Sequence, residues 1–88
     1  MSVGERHPIG IPMLKILSYL NKNKEPKSMP EISKETNISY NTVRINVYKL
    51  QALGAIEERG GKYMITERGK QMLSEFFQEI EKLKGVNT

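Results

Sequence analysis

Apolar residues along this chain come in separated groups, and the spacing within each group names the element that carries it. Met13, Leu14, Ile16, Leu17 and Leu20 recur at the three- and four-residue intervals of one helix face. Pro12 stands where proline's fixed φ suits a first turn, so a helix is expected to begin there and to end near residues 21–24. Glu25, Pro26 and Lys27 read as a loop. A short second helix follows, with Ile32 as its main buried residue. Ser28 and Glu31 have the S-x-x-E spacing of a capping box, in which each satisfies an unbonded amide of the helix start. Pro30 lies in the first turn, where it costs no hydrogen bond. This helix is expected to stop at Thr36 and Asn37, with Asn37 left-handed, a conformation asparagine tolerates better than most residues.

Ile38 is expected to plug the core after that turn, and Ser39 to cap a third helix over residues 40–53, with Gly54 as its stop. At 100° per residue, Val43, Val47 and Leu50 fall within about 60° of one another, with Leu53 nearby. They form the inward stripe. The opposite side carries Asn41, Arg44, Ile45, Tyr48 and Ala52. Residues 55–59 read as a strand, Gly60-Gly61 as a two-residue hairpin turn, and residues 62–65 as the return strand. Thr66 caps a fourth helix over residues 67–84, roughly 27 Å long at 1.5 Å per residue, and Gly85 is expected to end it. No internal repeat or low-complexity tract interrupts this order.

The order is helix, helix, turn, helix, hairpin, helix. The tight link between the second and third helices matches the helix-turn-helix motif. The expected fold is mainly α with a small β-hairpin, a winged helix-turn-helix. It divides into a flexible arm at residues 1–10, a core at 11–66 and a C-terminal helix at 67–88.

Composition narrows the function. A chain of 88 residues makes one domain with a modest core, which invites help from a partner subunit. The net charge of +4 suits a polyanionic partner, although many small proteins are mildly basic. There is no cysteine, so neither a disulfide nor a thiolate metal site forms. No apolar run approaches the roughly 20 residues of a membrane span, and the charged first residues do not resemble a secretory signal. A soluble, cytoplasmic protein is expected. Nothing argues for catalysis, a cofactor or a metal. His7 is the only histidine and lies in the arm. Glu57 and Glu58 are adjacent on a strand, so their carboxylates point to opposite faces and cannot work as an acid/base pair. Gly60-Gly61 is followed by a strand and not by a helix, so it is no phosphate loop.

The third helix carries the chemistry instead. No acidic residue occurs between Tyr40 and Ile56, while Arg44 and Lys49 are basic, as suits a helix approaching phosphates. Arg44 can pair with a guanine edge or clamp a phosphate, and Asn41 can pair with adenine. Ile45 suits a thymine methyl, and Tyr48 a phosphate or a sugar. Ser39, Tyr40 and Thr42 sit at the positive end of the helix, where amides and hydroxyls favour phosphate.

The run from Ile32-Ser33 through Thr36-Asn37-Ile38-Ser39 carries a resemblance that continues at Thr42-Val43-Arg44, Val47 and Leu50. It extends over Leu53-Gly54-Ala55-Ile56 and Ile65-Thr66-Glu67-Arg68-Gly69. Together these resemble the winged-helix regulators of the MarR, ArsR and PadR type, and in size the small winged-helix proteins of archaea and their viruses. The resemblance implies that the third helix enters the major groove of double-stranded DNA through Ser39, Tyr40, Asn41, Thr42, Arg44, Ile45, Tyr48 and Lys49. It implies that Arg59, Gly60, Gly61 and Lys62 form a wing tip on the backbone or minor groove. Two departures stand out. Asn37 replaces the glycine usual in the turn, and the wing is short.

On the fourth helix Met72, Leu73, Phe76, Phe77, Ile80 and Leu83 span about 140° of surface, wider than a minimal core-facing stripe. Left exposed, its later members would make an apolar patch uncommon on monomers. A symmetric homodimer is expected, with Leu73, Phe76, Phe77, Ile80 and Leu83 at the interface. Ile16 is expected there too, and Ile9 and Ile11 near the partner's fourth helix. The alternative is that the fourth helix folds back over its own core. A dimer sets two reading helices about 34 Å apart and calls for a palindromic site. The function expected is that of a dimeric, sequence-specific DNA-binding transcriptional regulator, a repressor. No residue set marks a small-molecule effector site. The competing readings are a protein-interaction module and an architectural DNA binder without sequence preference.

Overall fold

The computed structural model describes residues 10–86, with side chains through Lys82. Residues 1–9 of the expected arm, with His7 and Ile9, lie outside the described residues. The elements are α1 (Ile11–Lys22), α2 (Met29–Thr36), α3 (Tyr40–Ala52), β1 (Ile56–Arg59), β2 (Lys62–Ile65) and α4 (Glu67–Val86). This is the winged helix-turn-helix order read from the sequence.

Local chemistry accounts for the element boundaries. Gly10, assigned to the arm, is the N-cap of α1, and its carbonyl accepts from the Leu14 amide at 2.9 Å. At α2 the Ser28 hydroxyl accepts from the Glu31 amide at 3.3 Å, and the Ser28 amide donates to Glu31 Oε1 at 2.9 Å. Two amides that a helix start leaves unbonded are thus satisfied reciprocally. Asn37 ends α2 at φ 61°. The Ser33 hydroxyl then donates to the Ile38 carbonyl at 2.6 Å and holds the turn closed. Ser39 caps α3, and Gly54 stops it at φ 76°. Gly60 and Gly61 both have positive φ, as the two-residue turn of a right-twisted hairpin requires.

β1 and β2 pair antiparallel, with Ile56 opposite Ile65, Glu58 opposite Tyr63 and Arg59 opposite Lys62. The segment 25–27, read as a loop, contributes more. Lys27 and Tyr63 exchange two backbone hydrogen bonds, at 2.8 and 2.7 Å, so Lys27 caps the hairpin edge as a one-residue bridge.

The core lies between α1, α2, α3 and the hairpin. Ile16, Leu17, Leu20, Ile32, Val43, Val47 and Leu50 are wholly buried, and Met13, Ala55, Ile56, Tyr63 and Leu73 nearly so. Each fully buried aliphatic side chain contributes about 1.5–3 kcal/mol of transfer free energy. Ile38 packs against this cluster half-buried.

Several expectations need correction. Ile16 and Leu73, expected at a dimer interface, are buried in the chain's own core, where a partner cannot reach them. Leu53, grouped with the inward stripe of α3, is 37% exposed because α3 ends at Ala52 and the chain turns away there. β1 begins at Ile56, since Ala55 is taken up by bonds to the Leu50 carbonyl and the Thr66 amide. α4 runs past Gly85 to Val86, a shift of the size common at helix ends.

Backbone contact joins α4 to the end of α3. A Cβ on Gly69 would lie 2.2 Å from the Ala55 carbonyl oxygen and 2.7 Å from Ile65 Cγ1. Only a glycine lets the two backbones approach so closely. The Thr66 hydroxyl donates to the Gly54 carbonyl at 2.6 Å and accepts from the Gly69 amide at 3.1 Å. Arg68 Nε donates to the Leu53 carbonyl at 2.8 Å, satisfying a carbonyl at the α3 terminus.

Candidate nucleic-acid interface

With Val43, Val47 and Leu50 buried, α3 has one possible outward face, and it exposes Tyr40, Asn41, Arg44, Ile45, Tyr48 and Lys49. Ser39 is exposed at the helix start. Thr42 differs from the expectation. It is half-buried, its hydroxyl is bonded to Ser39 Oγ at 2.9 Å, and its carbonyl accepts from Asn46 Nδ2 at 2.8 Å. Arg44 Nη2 donates to Asn41 Oδ1 at 2.6 Å, so two of the exposed polar residues are joined.

The hairpin flanks this face. Tyr63 is buried where β2 meets the core, and its phenol pKa is raised, chiefly by desolvation and then by Glu58, Tyr48 and Tyr40. Tyr40, Arg44 and Tyr48 follow one another at four-residue intervals, a single row along the helix. Tyr40 and Tyr48 of that row lie near enough to Tyr63 to act on its phenol, as Glu58 does from the facing strand. Glu58 therefore brings a carboxylate to the tyrosine that Tyr40 and Tyr48 also act on, while α3 carries none of its own. Strand alternation held the signal for this, because the partner of an inward Tyr63 must share its face.

At the wing, Gly60 and Gly61 have open space where a Cβ would stand. Arg59 Nη2 and Nε donate to Glu57 Oε2 at 2.8 and 3.1 Å, so Glu57 offsets the charge expected to meet the backbone. Lys62 is exposed on the return strand. Lys62 and Lys27 both help to lower the pKa of Glu31, so Lys27, passed over in the sequence, belongs to the same basic edge.

On α4, Phe76 packs half-buried on the core and meets Phe77 edge to face, with ring centroids 5.8 Å apart. Phe77 is 50% and Ile80 37% exposed. The side chain of Leu83 lies outside the described residues. A cleft of about 450 Å³ opens between α1, α2 and α4, lined in part by Leu14, Lys15, Tyr19, Glu35 and Phe77. The Tyr19 hydroxyl donates to Glu35 Oε1 across it. Burial first, and Glu35 second, push the Tyr19 pKa far up. Among the described residues no cluster of three potential metal ligands is gathered, and no helix is long and apolar enough to cross a membrane.

A capped helix pair joined by a left-handed turn, with a third helix exposed on one face and a two-stranded wing, define a winged helix-turn-helix domain. The chain belongs to the winged helix-turn-helix family, whose model matches residues 6–85. Among solved structures it is similar to MepR, a transcription regulator of the Staphylococcus aureus multidrug efflux pump MepA. The TM-score is 0.80 at 19% identity, over 96% of this chain and 68% of that one. A MarR family transcription regulator superposes with TM-score 0.73 at 19% identity, over 92% of this chain and 58% of that one. The Mycobacterium tuberculosis MarR family protein Rv2887, solved in complex with DNA, gives 0.71 at 18% identity, over 81% and 55%. The chain thus spans less than two thirds of the length of these last two proteins, and the likeness at such identities is one of fold. No curated protein matches the sequence.

Proposed function

We propose that this chain is a dimeric, sequence-specific regulator of transcription that binds double-stranded DNA. α3 enters the major groove, and the wing at residues 59–62 rests on the backbone. One observation carries the reading. α3 exposes Asn41, Arg44, Ile45, Tyr48 and Lys49 on a single face, and the helix holds no carboxylate. Groove-reading side-chain types on an acid-free helix are what phosphate approach and base readout demand together. That a fold neighbour was solved with DNA supports it. The work of such a face is binding, not catalysis, and it would be done in the cytoplasm. A dimer seated on two half-sites occludes the DNA beneath it, which makes repression the simplest outcome.

The dimer part rests on α4. Phe77 and Ile80 are exposed beside the half-buried Phe76, and Ile11 at the start of α1 is 65% exposed. Exposed apolar side chains following one another along α4 are what a face covered by a partner would show. Phe76, Phe77, Ile80 and Leu83 supply the interface, without Ile16 and Leu73.

The test is a binding selection on randomised duplex DNA at near-physiological salt, repeated at higher salt. Enrichment of a palindrome with half-sites about one helical turn apart is expected. Salt-sensitive binding with no enriched sequence would indicate an architectural binder. Absence of binding would favour a protein-interaction module.

A further inference from the structure

We propose that Asn41 and Arg44 read DNA as one unit, in which Asn41 holds the Arg44 guanidinium for a guanine and reads no adenine of its own. The inference rests on the reading of α3 as a major-groove helix. The two side chains are joined before any DNA arrives, by the 2.6 Å bond from Arg44 Nη2 to Asn41 Oδ1 across one helical turn. Both residues are exposed, so neither the core nor a neighbouring element imposes the contact.

Donor and acceptor accounting decides what the pair can recognise. An asparagine reads adenine with both ends of its amide, the oxygen accepting from N6 and the nitrogen donating to N7. In Asn41 the oxygen is engaged by a charged donor, the stronger kind of hydrogen bond. The oxygen keeps a second lone pair, but the bond to Arg44 fixes how the amide is turned along the helix, and reading adenine would require its oxygen and its NH2 group to turn to the base together. Arg44 spends one of five N–H donors on the contact and keeps a two-donor edge, the pattern that matches O6 and N7 of guanine. The tether also removes rotamer freedom from a long side chain before binding, so less is lost on the DNA.

The second arginine of the interface sharpens the assignment. Arg59 is bonded through Nε and Nη2 to the Glu57 carboxylate, which offsets its charge. Arg44 is bonded to a neutral amide, which orients the guanidinium and leaves its full charge facing outward. Of the two, Arg44 is built to recognise, with Asn41 as its positioning residue.

The experiment repeats the binding selection with wild type, Asn41→Ala, Arg44→Ala, the double variant and Asn41→Asp, and reads base preference position by position. Arg44→Ala is expected to lower discrimination at one guanine by about tenfold or more. Asn41→Ala lowers it at the same guanine by severalfold, and the double variant loses no more than Arg44→Ala, because coupled residues are not additive. Asn41→Asp keeps an acceptor for Arg44. It retains the guanine preference while weakening binding to every sequence, since the new charge faces phosphates. Loss of an adenine preference in Asn41→Ala with the guanine intact would overturn the unit while leaving the regulator standing. So would additive losses at two positions. A wild type that enriches no sequence would overturn both. A measurement without DNA stands beside these. NMR of the Arg44 guanidinium should show hindered rotation in wild type and rapid rotation in Asn41→Ala, and rapid rotation in wild type would overturn the tether.

Discussion

α3 and α4 pack on the same core and differ in what they leave outside it. The apolar stripe of α3 is complete, with Val43, Val47 and Leu50 wholly covered by the chain itself. Its outer face carries one large exposed aliphatic residue, Ile45 at 42%, with the small Ala52 and the hydroxyl-bearing Tyr40 and Tyr48, among polar and basic neighbours. A single large exposed aliphatic residue is ordinary on a protein surface. α4 is covered at Gly69 and Leu73, and its stripe then continues into Phe77 and Ile80, which stay exposed among the described residues. A helix whose apolar demand is met inside the chain has an outer face available for recognition. A helix whose stripe outruns the domain has a demand still to be met. On the function proposed above, the two faces call for different partners, an anionic groove for one and an apolar surface for the other.

The strongest way to break this contrast is at the clamp between the two helices. Gly69→Ala would drive a Cβ into the Ala55 carbonyl oxygen, and backbone cannot give way as a side chain can. A loss of about 3 kcal/mol or more in unfolding free energy is expected by chemical denaturation at fixed protein concentration. Gly60→Ala is the control. Space is open there, so only the positive φ costs anything, about 1 kcal/mol. Equal effects from the two would mean that α4 is not seated by backbone contact.

Next in size comes the boundary within α4. Leu73→Ala should cost about 2–5 kcal/mol, as buried leucines do. Phe77→Glu should leave the fold within about 0.5 kcal/mol when measured dilute, since its side chain is half in solvent. It should instead halve the mass seen by light scattering at high concentration. A wild type that stays monomeric at every concentration would remove the apolar-partner half of the contrast. On α3 the order reverses. Arg44→Ala should leave thermal stability within about 0.5 kcal/mol and weaken cognate DNA binding by about 1–3 kcal/mol. Loss of stability in that variant would show that the outer face of α3 serves the fold.

The same contrast explains what the sequence could tell. Signals of short range were legible: the Ser28–Glu31 box, the left-handed Asn37, the Gly60-Gly61 turn and the Val43, Val47, Leu50 stripe all rest on local geometry. Ile16 and Leu73 were misplaced for a physical reason. Periodicity says which residues share a face and is silent on which surface covers that face. The need for glycine at position 69 was invisible, because it arises from the approach of Ala55 across the domain. The one-residue bridge at Lys27 has no period to detect. In the candidate site, the residue types of α3 were read from the sequence, but the bonds between side chains were not drawn from it. Asn41 with Arg44, three apart on a helix, and Glu57 with Arg59, two apart on a strand, each share a face, and spacing alone would have suggested both pairs.

The smallest effect expected lies under α3, in the cap of α2 on which it rests. The Glu31 carboxyl is held below its ordinary pKa of 4.5, first by the Ser28 backbone amide, then by the Ser28 hydroxyl, Lys62 and Lys27, against a smaller opposing desolvation. A carboxyl with a depressed folded pKa binds its proton less readily folded than unfolded. Its contribution is therefore complete above the unfolded value and disappears as pH falls through the folded one. Glu31→Gln keeps an oxygen acceptor for the Ser28 amide and removes the charge. Wild type should be the more stable near pH 7, and the difference should shrink below pH 4.5 and vanish once Glu31 is protonated in the folded state. Denaturation midpoints of both proteins across that range measure it. A difference that persists unchanged into acid would mean that the capping charge does not help to hold the helix pair that aims α3.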